Sequence, residues 1–138
     1  MLQDDPWLYA GVNTVHVLGI ALLVGAIVVL DLRLLGAWRA VPVAALAWPA
    51  TTVAGTGLAL ALVTGAALFT VQAEDYAANP FLYVKFGAIL LGLVNLAALR
   101  WAGGWRDGKR PVYAALAGGL SLLSWLVALV AGRLMAYW

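Results

Sequence analysis

Four stretches of this chain stay apolar for long enough to cross a membrane, and nothing else in the sequence restricts the fold as strongly. A hydrocarbon core of roughly 30 Å takes about 20 apolar residues when they are helical. The first stretch runs from about Leu8 to Leu30, with His16 as its one ionisable group. The second, about Ala50 to Val71, carries no charge. The third, about Phe81 to Leu99, is interrupted only by Lys85, and the fourth, about Val112 to Gly132, is again uncharged. Hydrocarbon offers no partner for a bare backbone N–H or C=O, so each stretch is expected to be a helix. The first is too long for a signal peptide and lacks a basic leader. The expected fold is all-α: one domain over residues 1–138, an up-down-up-down transmembrane four-helix bundle with spans of about 8–30, 50–71, 81–99 and 112–132.

Composition agrees with that reading and removes several classes of function. With 65% hydrophobic and 10% charged residues, the chain lies far from the balance of a water-soluble enzyme. Without cysteine there is no disulfide framework and no thiolate metal site. One histidine and two methionines are too few for a transition-metal site with several ligands. The basic pI of about 9.2 does not point to nucleic acid, because the cations are few and sit between the spans.

Their placement predicts orientation. Arg33 and Arg39 follow the first span, and Arg100, Arg106, Lys109 and Arg110 follow the third. The other side has Asp4, Asp5, Glu74, Asp75 and the single cation Arg133. By the positive-inside rule both chain ends should face outward from a bacterial inner membrane, into the periplasm. Trp7, Tyr9, Tyr76, Tyr83, Tyr137 and Trp138 then form an outer aromatic belt, and Trp38, Trp48, Trp101, Trp105 and Tyr113 an inner one.

Small residues recur every fourth position: Gly57, Ala61 and Gly65 on the second span, Ser124, Ala128 and Gly132 on the fourth, Ala21 and Gly25 on the first. Such stripes let backbones approach closely, a main source of helix association in lipid. They predict a compact bundle and imply no chemistry.

Chemistry, if present, should sit where ionisable groups enter the membrane. Each costs about 2.5–3.5 kcal/mol at a helix centre on insertion scales, so it normally faces the bundle interior and has a partner. His16 lies roughly 12 Å and Lys85 roughly 6 Å below the outer ends of their spans, at about 1.5 Å per residue. Arg133 closes the fourth span on the same side. Structural alternatives stay open: His16 bonding Asn13 one turn earlier, and Lys85 and Arg133 reaching outward to headgroups. If the three instead share a site, a neutral imidazole suits the iron of haem b or a similar tetrapyrrole, and Lys85 and Arg133 suit its propionates. A second axial ligand is not evident; an open position, Met135, or a second His16 across a homo-oligomer all remain. Glu74 and Asp75 read as a wet loop. Asp31 and Arg33 are expected to form ion pairs with one another or with Arg100 at the interface, and Asn95 to hydrogen-bond across helices.

The runs His16-Val-Leu-Gly-Ile-Ala-Leu-Leu-Val-Gly25, Asp31-Leu-Arg-Leu-Leu-Gly36, Tyr76-Ala-Ala-Asn-Pro-Phe-Leu-Tyr-Val-Lys85 and Ala131-Gly-Arg-Leu-Met-Ala-Tyr137 together resemble an uncharacterised bacterial family of four-helix integral membrane proteins. More distantly, a His in the first helix and a Lys near the start of the third is similar to HemJ-type protoporphyrinogen IX oxidases, and the copper-resistance D proteins look like further relatives. The resemblance implies a four-helix bundle holding haem b, with His16 as axial ligand and Lys85 as the second site residue. The oxidases carry more histidines than this chain, so their reaction transfers less readily than their cofactor. Copper passage is disfavoured by the lack of Cys and the few Met and His. The expected role is electron transfer or oxidoreduction with a redox partner protein. The alternatives are a module that binds or transports a lipid or small anionic ligand through Lys85 and Arg133, and an assembly subunit of a membrane complex.

Overall fold

A computed structural model describes residues 2–101, 111–135 and 137 of the chain. Arg106, Lys109, Arg110, Trp105 and Trp138, which enter the expected charge and aromatic patterns, lie outside the described residues. The described elements are all helical: α1 (Pro6–Leu34), α2 (Val43–Phe69), α3 (Ala73–Ala78), α4 (Pro80–Trp101) and α5 (Pro111–Leu134). Four of them, all but α3, are long and apolar enough to cross a membrane.

Proline marks the starts of the long helices. Pro6, Pro80 and Pro111 are first residues and Pro42 immediately precedes α2. At those positions its fixed φ suits the helix and its missing N–H would have had no intrahelical partner. Asp5 completes the start of α1 by accepting from the Trp7 and Leu8 amides at 2.9 and 3.2 Å. Pro49 falls inside α2. The helix continues through it, and Thr51 and Thr52 donate back to carbonyls of Ala47 and Trp48 in the same stretch. So α2 begins at Val43, well before the expected Ala50. At the other end of α1, Gly36 with φ +117° allows the chain to turn. The amides of Gly36 and Ala37 reach back to Arg33 and Leu32 carbonyls, the paired bonds of a Schellman stop.

Contact positions fix the topology. Along α1 and α2, His16 meets Gly65 and Gly19 meets Gly57 and Ala61, so rising numbers on one helix pair with falling numbers on the other. Lys85 with Gly132 and Gly92 with Trp125 show the same reversal between α4 and α5. Leu23 and Ile27 with Trp125, then Leu34 with Gly118, show it between α1 and α5. The four long helices thus run up-down-up-down. We call the end where α1 and α4 begin proximal and the opposite end distal.

Polarity is inverted relative to a soluble protein. Leu62, Val63, Leu90 and Leu116 are among many large apolar side chains left exposed around the bundle, as lipid-facing positions require. The interior is built from small residues and a few large ones. One cluster, at the distal end, joins Leu30, Leu34, Ala47, Leu99 and Ala117. The other, nearer the middle, joins Leu23, Ile27, Ala54 and Trp125.

The expected stripes are only partly the contacts. Gly57 and Gly19 form the crossing of α1 and α2, whereas a Cβ on Gly25 would meet nothing within 4 Å. Ala21 and Gly25 obey the four-residue spacing, but α1 turns its Gly19 side to α2. Glu74 and Asp75 lie in the first turn of the short helix α3 instead of a loop, and remain exposed. Burial first, then the neighbouring Tyr9 hydroxyl, pushes the Tyr76 phenol up from its ordinary value, and its ring stacks on Phe69.

Asn79 joins the proximal ends of α4 and α5. It is 3% exposed, its Oδ1 accepts from the Phe81 amide at 3.0 Å, and its Nδ2 donates to the Met135 carbonyl at 3.1 Å. Asn79→Ala removes a helix cap and strands a buried carbonyl. We expect a loss of about 1–2 kcal/mol in an SDS-unfolding titration, with Asn79→Asp losing less because it retains the cap.

Candidate functional site

The imidazole of His16 is half-buried and faces α2. Its Nδ1 lies 2.9 Å from the Thr64 hydroxyl oxygen. That hydroxyl donates to the Leu60 carbonyl at 2.6 Å, so toward His16 it serves as acceptor. The hydrogen bonds therefore assign the imidazole proton to Nδ1 and leave the lone pair on Nε2, which no described residue bonds. Gly65 makes room for the ring: a Cβ there would stand 3.1 Å from Cε1. Asn13 is exposed and takes no part.

Lys85 is half-buried on α4 and lies along Gly132 of α5, where a Cβ would stand 3.5 Å from Nζ. Its ammonium makes no hydrogen bond or ion pair with any described residue. Both groups occupy the proximal half, because His16 lies ten residues into α1 and Lys85 five into α4. At this level His16 packs against α2 and Lys85 against α5.

Arg133 goes elsewhere. It is exposed, its guanidinium lies 5.0 Å from the centroid of the Tyr137 ring, and its Nη2 donates to the Tyr137 hydroxyl at 2.7 Å. The step of one residue from Gly132 turns it about 100° around α5, away from Lys85. Depth along the helix was readable in the sequence; the face was not.

Sequence reasoning missed the residues that seat the two groups. Thr64 fixes the imidazole, and the last glycine of each small-residue stripe, Gly65 and Gly132, opens space for one ionisable side chain. The available signal was depth, since both glycines end their stripes at the level of His16 and Lys85. As expected, Asn95 bonds across helices, Nδ2 donating to the Ala117 carbonyl at 2.8 Å.

Asp31 corrects the sequence reading most sharply. Expected as an interfacial ion pair with Arg33 or Arg100, it is 2% exposed inside the distal half, and its Oδ2 has no hydrogen-bond partner among the described residues. Arg33 sends its Nε to the Val41 carbonyl at 2.7 Å. The geometry follows from register: Asp31 lies on the α1 face that meets Gly118 and Ser121 of α5, while Arg33, two residues on, faces the following loop.

Among the described residues no three of His, Cys, Asp and Glu come together as a metal site. The His16 site offers one nitrogen donor to a metal and one cation to an anion. The chain matches no protein-family model, no curated protein and no solved structure.

Proposed function

We propose that this multi-pass membrane protein binds haem b, or a similar tetrapyrrole, in the proximal half of its bundle and serves electron transfer or oxidoreduction. The observation that carries the reading is the orientation of His16. An imidazole that ligates iron through one nitrogen commonly donates its other N–H to a fixed acceptor, which sets the tautomer and ring angle. Thr64 supplies that acceptor, and Nε2 is left with its lone pair. Lys85 supplies the cation for a propionate, and its lack of any other partner among the described residues supports that role. Arg133, held by Tyr137 at the surface, is at most a peripheral partner for a second propionate. The donor set therefore fits a haem held from one side. Bound there, haem would supply a one-electron redox centre. The chain's own part is to fix the imidazole, to offset one negative charge, and to surround both with apolar helices.

The motif resemblance to HemJ-type oxidases and the position of Lys85 relative to His16 support the same reading. The cation asymmetry supports a periplasmic position for the proximal end and both chain ends in a bacterial inner membrane.

Protein extracted from membranes and supplied with hemin is expected to show a Soret band that His16→Ala abolishes and that Lys85→Ala weakens. A colourless preparation that stays colourless with hemin rejects the reading. A second reading is favoured by the uncompensated ammonium of Lys85: a non-enzymatic module that holds an anionic lipid or small anion. Retention of anionic lipid that depends on Lys85 and ignores His16→Ala would select it.

A further inference from the structure

The distal half contains a second polar site, unrelated to the first. Around Asp31 the four long helices enclose a cavity of about 20 Å³. Ala50, Thr51 and Ala54 line it from α2, Leu96 from α4, and Ser121 and Trp125 from α5. A space of that size holds one water molecule. Asp31 lines it from α1, and its Oδ2 has no hydrogen-bond partner among the described residues.

We infer that Asp31 is a proton-binding site, holding its carboxyl as the neutral acid against a single bound water. Three features of the geometry select a proton over the alternatives. First, a carboxylate buried among helices needs a counter-charge, and no described residue of the surrounding elements pairs with its Oδ2. On α1 itself Arg33 bonds the Val41 carbonyl; α2 and α5 present only the hydroxyls of Thr51 and Ser121, and α4 presents Leu96. Second, a metal cation would need about six oxygen ligands, and the lining offers the carboxyl and two hydroxyls within an otherwise apolar wall. Third, the neutral acid has a route for its proton. Thr51 donates to the Ala47 carbonyl at 2.6 Å, so its oxygen keeps lone pairs for an incoming donor. The acid O–H can donate to the water and the water to Thr51, while the Ser121 hydroxyl serves the other carboxyl oxygen. Every polar atom in the pocket is then satisfied without leaving an uncompensated charge among the helices.

The site does not depend on the haem reading. Asp31 lies fifteen residues beyond His16, about 22 Å along α1 at 1.5 Å per residue. The apolar cluster of Leu23, Ile27, Ala54 and Trp125 lies between them.

Infrared spectra of the haem-free chain in lipid at neutral pH provide the test. We expect a carboxylic-acid C=O stretch that moves down in heavy water and is lost entirely in Asp31→Asn. Should Asp31→Asn not fold, Ser121→Ala must shift that band upward by removing the hydroxyl beside the carbonyl. Loss of carboxylate bands alone in Asp31→Asn overturns the inference. So does an acid band unmoved by Ser121→Ala, or one that vanishes when sodium or potassium replaces a bulky organic cation.

Discussion

Trp125→Ala should be among the most destabilising single substitutions in the described part of the chain, lowering the free energy of unfolding by about 3 kcal/mol. The indole is 2% exposed, lines the Asp31 cavity, and lies against Gly92, where a Cβ would stand 2.8 Å from Cε2 and Nε1. It therefore fills the space that the smallest side chain on α4 leaves open. In water, Trp→Ala in a core costs about 3–5 kcal/mol, part of it transfer and part cavity. In lipid the transfer part shrinks, because a separated helix still keeps its indole out of water; the lost packing remains. That places the expectation at the lower end of the range. Unfolding in SDS, followed by circular dichroism or steric trapping, measures it. Leu123→Ala on the same helix, 61% exposed, should change stability by less than about 1 kcal/mol. Equal losses at both positions would show that the indole is not the keystone of this interface.

The second large effect is expected from adding a single methyl group at Gly57. A Cβ there would stand 2.5 Å from the Gly19 carbonyl oxygen and 2.6 Å from the Leu23 amide nitrogen. Both neighbours are backbone, so no side chain can move aside. The two helices would have to separate at this crossing. Gly57→Ala should cost about 1–3 kcal/mol, the usual range for forcing volume into a packed interior. Gly55→Ala, two residues earlier on the same helix and with nothing within 4 Å, is the matched control. It should be neutral or slightly stabilising, since alanine is the better helix former. On the haem reading proposed above, Gly57→Ala, two turns from Gly65, should also weaken hemin binding by displacing Thr64 from His16. A variant destabilised as expected but with full haem retention would show that the two levels of this interface move independently.

Much of this molecule is legible along one dimension. Hydrocarbon imposes a length and a polarity on any helix that crosses it, so four apolar runs with proline at or beside their starts predict four long helices. Short connections and contact by small residues then predict antiparallel neighbours. What the local reading missed is of two kinds. Val43 to Trp48 joins α2 because the helix passes through Pro49, a residue that in water would have marked the boundary. Glu74 and Asp75 form a turn of helix because α3 is held against α4 by its neighbours, which periodicity over six residues does not reveal.

The candidate sites divide in the same way. Depth along a helix follows from counting at about 1.5 Å per residue, so the sequence determined that His16 and Lys85 share a level near one end of the bundle. Rotation about the helix decides the rest. Each residue turns the side chain by about 100°, and in a span that is apolar all round no amphipathic stripe marks the inner face. Only packing chose the faces: it set His16 on Thr64, laid Lys85 along Gly132, turned Arg133 out to Tyr137, and carried Asp31 into the interior. In a membrane, hydrophobicity sets which segments enter, while close approach of small residues sets what each segment faces. The first is written in composition, and the second exists only once the helices meet.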